Sequence, residues 1–254
     1  QGVKEVHLIG QNVNSYRPGT DSGLEIFEGA TPFSRLLRAV AATDIERIKF
    51  TTSFPRDFHP DIVDAIEENE NLCNWVHLPV QSGSDKVLKD MRRGHTVDKY
   101  KAKIDRIRSS KRGISLTTDI IIGFPGETDE DFQKTLDLAE YCEFDSAYIF
   151  KYSPRPGTPA SELDDDVSKE TKKLRFIELQ DKVNETQQMH LNRSVGQELE
   201  VLAEKIEENK DGKVVGRSSC HKLVYFDGEE NDLNTIVNVK VHSAGSSTVQ
   251  GNIV

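Results

Sequence analysis

Within Ile114–Thr135, ISLTTDIIIGFPGETDEDFQKT, a strand, a glycine loop and a helix are written in immediate succession. Ile114, Leu116, Ile120, Ile121 and Ile122 make a β-branched, nearly continuous apolar run, the pattern of a parallel strand covered on both faces. Gly123 and Gly126 bracket Pro125, so the chain turns sharply there. Thr128 with Asp131 reads as a capping box, and Phe132, Leu136 and Ala139 follow at helical spacing. A helix N-terminus beside glycines at the carboxyl end of a parallel strand is a place for anionic or polar ligands. GFPG is neither a Walker loop nor a dinucleotide fingerprint, so by itself the segment favours a tight βα turn.

The same alternation extends outward in both directions. Strands are expected at Val6–Ile9, Ile48–Thr52, Trp75–Val80 and Ala147–Lys151, and helices at Pro32–Thr43, Pro60–Asn69, Ser84–Met91 and Val97–Ser109. Tyr16–Thr31 and Ser153–Asp166, rich in Gly, Pro and acidic residues, read as loops. A long charged helix opens at Ser168 and ends near Gly196. Beyond it the texture changes to short β-branched segments, at 199–201, 214–217, 223–226, 235–241 and 248–254, separated by Gly, Asn and Asp turns. These describe a small antiparallel β-barrel or sandwich. The division is 1–192 for an α/β unit and 193–254 for the small β domain.

A chain of 254 residues, 35% hydrophobic, can bury a large core and a small one. No apolar run approaches a membrane span, and the start resembles no signal peptide. The chain opens on Gln1 and enters a strand almost at once, the look of a piece of a longer polypeptide. Cys73, Cys142 and Cys220 are odd in number and far apart, which argues against a disulfide framework and for a reducing, cytoplasmic setting. No cysteine or histidine falls at a metal-ligand spacing, so no metal held by these residues is expected. A net charge of -10 leans against a DNA-packing or RNA-coating protein, leaving nucleic-acid contact to a local patch.

The expected strands end in polar signatures: Gly10-Gln11-Asn12, Thr51-Thr52-Ser53, Gln81-Ser82-Gly83-Ser84, Asp119 with Gly123, and Tyr152-Ser153. In β/α architectures the carboxyl ends of strands are where chemistry sits. The set offers amide and hydroxyl groups and one carboxylate, suited to orienting a nucleoside or amino-acid-like ligand. It contains no Ser/His/Asp triad, no paired carboxylates and no phosphate-gripping lysine loop. A cofactor must therefore carry the difficult chemistry.

LIGQNVNSY (Leu8–Tyr16), TTSFP (Thr51–Pro55), HLPVQSGSDKVLKDMRRGHT (His77–Thr96), DIIIGFPGETDEDF (Asp119–Phe132) and YSPRPGTPA (Tyr152–Ala160) resemble, in order and spacing, the bacterial radical S-adenosylmethionine methylthiotransferases. The likeness runs the length of the chain. It implies a partial, TIM-like (β/α) radical-SAM barrel, incomplete at its amino end, and a carboxyl-terminal TRAM domain, an OB-like β-barrel associated with RNA. Two departures stand out: GQN replaces the superfamily's commoner Gly-Gly-Glu, and the glutamate of IIIGFPGE sits one residue further on than usual. The family's radical cluster is held by a C-x3-C-x2-C motif and an auxiliary cluster by three further cysteines. Neither set is in this chain, so it is expected to be inactive alone.

For the intact protein the resemblance implies S-adenosylmethionine, two [4Fe-4S] clusters, an electron-donor protein and tRNA, with neither DNA nor a membrane as partner. The implied reaction is methylthiolation of C2 of N6-isopentenyladenosine beside the anticodon. S-adenosylmethionine is cleaved reductively to abstract hydrogen, and a second molecule supplies the methyl group. By motif position, Gln11 and Asn12 fall toward the methionine end of the cofactor, Gln81 and Ser82 near its ribose, and Asp119, Gly123 and Tyr152 near its adenine, with Ser53 in the same set. Arg93, Arg155, Lys222 and Tyr225 are the RNA-facing candidates. Arg92, Arg93 and His95 read equally as a solvated helix end, and Tyr225 with Phe226 equally as barrel core. Alternatives are methylthiolation of a ribosomal-protein aspartate, or of threonylcarbamoyladenosine in tRNA, or an RNA-binding module with no catalysis. Arg155 and Pro156, where the aspartate-modifying group is acidic, favour RNA.

Overall fold

The computed structural model describes residues 2–18, 23–25, 28–210 and 212–254. The loop expected over Tyr16–Thr31 lies partly outside them. The first unit runs β1 (Glu5–Leu8), α1 (Pro32–Ala41), β2 (Arg47–Phe50), α2 (Pro60–Glu68), β3 (Trp75–His77), α3 (Asp85–Asp90) and α4 (Val97–Arg108). It continues through β4 (Ser115–Ile122), α5 (Asp129–Cys142), β5 (Ser146–Lys151) and α6 (Lys169–Arg193). All its strands are parallel: β1 pairs β2, β3 pairs β4, and β4 pairs β5. A bridge between Ile48 and Leu72 carries the order across from β2 toward β3.

One face of this sheet is covered by helices. Ile48, Phe50, Val76, Leu116, Ile120 and Ile122 point into a single apolar core with Ile62 and Ile66 of α2, Ile104 of α4 and Leu136 of α5. Period-two alternation then sends Arg47, Lys49, Trp75, His77, Thr117, Asp119 and Ile121 to the opposite, inner face. β4 departs from its expected cover on both faces. Its burial is complete through Thr118, but Asp119 and Ile121 are only half-buried because the inner face is open there.

The second unit comprises β6 (Glu198–Glu207), β7 (Lys213–Ser218), β8 (Leu223–Asp227), β9 (Ile236–Ala244) and β10 (Val249–Ile253), closed in the order β10-β8-β7-β6-β9. Its core is Val201, Ala203, Val214, Val224, Phe226, Val239, Val241 and Val249. The expected all-antiparallel barrel needs correction, since β8 and β10 pair in parallel. The reason is parity: directions cannot alternate all the way round a closed ring with an odd number of strands.

This barrel docks on the amino-terminal ends of the parallel strands. The His221 ring stacks on Trp75 with centroids 4.3 Å apart, and Arg47 donates to the Arg217 carbonyl at 2.9 Å. Lys222 reaches Asp145 and the Ser115 hydroxyl, each at 3.3 Å. The lower half of the inner face is thereby buried. The carboxyl-terminal half stays open.

Candidate functional site at the strand carboxyl ends

At that open end lies a cleft of about 700 Å³, lined among others by Gln81, Asp119, Ile121, Phe150, Tyr152 and Arg93, with Arg155 at its rim. Five of the residues singled out from the sequence therefore meet here: Gln81, Arg93, Asp119, Tyr152 and Arg155. Gln81 is held by backbone alone. Its N–H donates to the Asp119 carbonyl and its carbonyl accepts from Ile121, both at 2.9 Å, with φ at +75°. A non-glycine residue in that region is uncommon, and here the bridge to β4 enforces it. Asp119 lies 3.6 Å from His77 Nε2, and Arg93 is close enough for its charge to matter. Burial lowers the Arg93 guanidinium's affinity for its proton while Asp119 opposes the shift, so Arg93 stays cationic. The Tyr152 hydroxyl donates to the Ala160 carbonyl at 2.7 Å and its ring meets Phe124 edge-on, which pins the loop bearing Arg155 against the glycine loop.

The glycine loop is braced by the chain's own groups. Gly123 has φ +67°, and a Cβ there would stand 2.4 Å from Lys172 of α6. Its N–H donates to Glu127 Oε2 at 2.6 Å, and the same oxygen accepts from Arg175 at 2.7 Å. Thr128 and Asp131 complete the capping box of α5. The α5 amino terminus is therefore occupied by the chain's own carboxylate and hydroxyl groups, and the segment is a braced βα turn. A side chain at Gly123 would both strain the backbone and meet Lys172, and the packed loop positions the cleft wall.

The QSGS signature divides in two. Gln81 faces the cleft, whereas Ser82 is fully buried against Thr135 and Ser84 donates to Asp131 at 2.6 Å. Gly83 is required because a Cβ would sit 2.3 Å from the Lys134 carbonyl. The two serines stitch the end of β3 to α5. Gln11 and Asn12 are exposed beyond β1. Ser53, after β2, is buried, with no partner for its hydroxyl among the described residues. None of these three lines the cleft formed by β3, β4 and β5.

Lys222 and Tyr225 lie elsewhere. Burial would lower the Lys222 ammonium's pKa, but Cys220 and Asp145 beside it raise it, and it works as a clamp between the two units at the far end of the strands. Tyr225 donates to Glu207 at 2.9 Å on the flank of the small barrel, while Phe226 is core. His95 is buried beneath the Arg92–Arg93 turn, not a solvated helix end. Sequence reading missed the inner-face residues Ile121, Tyr148 and Phe150. Their signal was the alternation of β5, where Ala147 and Ile149 face the core and the aromatic residue after each does not.

The three cysteines are buried in separate places, beside β3, at the end of α5 and in the β7–β8 turn. Burial raises the Cys73 thiol and pushes Cys142 up to about 12, which keeps both protonated. Iron–sulfur ligation needs thiolates converging on one point. Among the described residues no cluster of His, Cys, Asp or Glu is placed to hold a metal ion.

A parallel β/α sheet with its polar residues gathered at the strand carboxyl ends agrees with the family that the sequence matches. Residues 1–139 match the Radical SAM superfamily, and the chain belongs to it. It is 42% identical over its whole length to a tRNA-2-methylthio-N(6)-dimethylallyladenosine synthase of Serratia proteamaculans, covering 53% of that protein. A protein of the same name from Erwinia tasmaniensis is 42% identical over 99% of this chain and 52% of its own. The chain thus spans about half the length of these curated relatives. A solved coproporphyrinogen III oxidase from Escherichia coli, described as a radical SAM enzyme, aligns over 57% of this chain and 34% of its own, with 24% identity and a TM-score of 0.43. That likeness is too loose to add to the assignment.

Proposed function

We propose that this chain forms the strand-end cleft and the carboxyl-terminal domain of a tRNA methylthiotransferase acting on C2 of N6-isopentenyladenosine. The observation that carries the reading is the meeting of Gln81, Asp119 and Tyr152 with Arg93 and Arg155 in one cleft. The parallel sheet is then part of a TIM-like barrel and the small barrel an OB-like TRAM domain. An electron-donor protein and a cytoplasmic setting go with the chemistry of the relatives.

The residues fit S-adenosylmethionine, which supplies a methyl group and a hydrogen-abstracting fragment. Asp119 is a carboxylate acceptor for adenosyl donors, and Gln81 beside it in the cleft offers an amide. Arg93, cationic and partly desolvated, suits a carboxylate or phosphate. Arg155, exposed at the rim, suits an RNA phosphate. The dispersed cysteines do not fit an iron–sulfur cluster. Modification of a ribosomal-protein aspartate is the weaker reading because Arg155 adds positive charge where an acidic rim would be needed to repel RNA.

The test uses the complete translation product containing this chain, reconstituted anaerobically with iron and sulfide. Incubation with S-adenosylmethionine, reductant and tRNA bearing N6-isopentenyladenosine is expected to add a methylthio group to that nucleoside, read by mass. Modification of a ribosomal-protein aspartate with the nucleoside unchanged would overturn the reading.

A further inference from the structure

The inner face of β5 carries two large aromatic rings that the fold does not use. In register with β4, Tyr148 lies across from Asp119 and Phe150 across from Ile121. Tyr148 is 56% exposed and Phe150 52%, whereas Ala147 and Ile149, one residue away, turn into or against the helix-covered core. Ile121 is half-buried beside Phe150 and, with it, lines the cleft that holds Arg93 and Arg155. The Tyr148 ring meets His77 edge-on at 6.2 Å, and His77 in turn stands by Asp119. The result is an apolar, aromatic wall with one carboxylate set into it and cations at its mouth.

We infer that this wall, Ile121 and Phe150 with Tyr148 below them, is the platform on which the target base of the RNA lies, and that it selects an adenosine whose N6 substituent is apolar. The inference rests on the RNA-modifying reading above and assigns the specificity surface within it. Each part of such a ligand has a counterpart. A base has a π-face to stack on an exposed ring, and an alkyl substituent finds Ile121 and Phe150 instead of water. The phosphodiester on either side meets Arg93 and Arg155. A purely apolar partner would leave Asp119 and both arginines facing apolar surface, a costly arrangement that a nucleotide avoids.

The wall is tested with the 254-residue chain, by equilibrium binding of two probe pairs: free N6-isopentenyladenosine against adenosine, and an anticodon stem-loop RNA with and without that group. Wild type is expected to prefer the prenylated member of each pair at least about fivefold, the scale of burying one or two carbons of the substituent. Phe150→Ser is expected to bring the ratio close to one and to weaken the plain RNA as well, by about fivefold or more, since both probes stack the base on the ring. Phe150→Trp is expected to keep the preference, and Tyr141→Ser, at a distant exposed ring, to leave it unchanged. These rings are exposed, so the variants are expected to melt with wild type. A preference that survives both Phe150→Ser and Tyr148→Ser, or RNA binding by wild type with no preference, overturns the wall and spares the RNA reading. Nucleoside preference lost in Phe150→Ser, with no RNA bound by any variant, upholds the wall and sinks the RNA reading instead.

Discussion

Glu127 shows how much of the cleft's geometry hangs on one side chain that never touches it. Its carboxylate is shut away from water, accepts from Gly123 N–H, and faces the Arg175 guanidinium, which also reaches Asp129 at 2.7 Å. Burial pushes the carboxyl above 4.5 even though the Gly123 amide and Arg175 pull it down. A raised carboxyl favours the fold at acid pH, and that contribution is lost as pH rises through the folded-state value. Arg175→Met removes the cation and raises the carboxyl further. We expect it to cost about 3–5 kcal/mol at neutral pH, with the loss shrinking toward pH 4.5 and below, read as urea midpoints across pH. A pH-independent loss would show that Arg175 acts through packing alone. In the sequence Glu127 stood out only as a motif glutamate; its partner lies on α6, and no local pattern pairs residues so far apart.

Among the elements, the ones with a strong period were legible and the ones set by distant packing were not. The α5 capping box, the run of isoleucines in β4 and the βα alternation all declared themselves locally, because each rests on neighbours within a turn or a strand. Asp119, Gln81 and Tyr152, which share the cleft, could be grouped from the sequence because strand ends collect ligand groups, a rule about position rather than contact. The placement of Ser82 against α5 was not legible, because a serine at a strand end looks the same whether it faces a ligand or a helix. Only the approach of α5, close enough to exclude a Cβ at Gly83, decides between them. Ile121 was read as core for a similar reason: β-branched residues in a parallel strand are normally covered twice. The inner face, left open beyond Thr118, made it a wall instead.

For the whole molecule, the small barrel's docking ties its stability to one imidazole. Burial against Trp75, with Lys49 and Arg217 adding repulsion, holds His221 down at about 3 against an ordinary 6.5. The groups facing it from the other elements include Glu5, whose charge works the other way, and His7, which adds to the depression. A depressed histidine binds its proton more readily when unfolded, so stability is full above 6.5 and falls as pH drops toward 3. Between pH 6.5 and about 5 the loss is expected to be about 2 kcal/mol. In His221→Gln that slope should flatten, read from thermal melts across the range; an unchanged slope would place the sensitivity elsewhere. The docking itself was not legible in the sequence, since Lys222 reads as an exposed cation until Asp145 is seen beside it.

The central claim is that RNA meets this chain at the strand carboxyl ends, with the small barrel clamped at the opposite ends. Hydrogen–deuterium exchange of the 254-residue chain, with and without an anticodon stem-loop RNA carrying N6-isopentenyladenosine, tests it most directly. The account predicts protection over Gln81 to Arg93 and over Phe150 to Ala160, the segments that line the cleft. Protection confined to residues 198–254, with the cleft segments unchanged, would contradict it and leave an RNA-binding barrel beside an unrelated cleft.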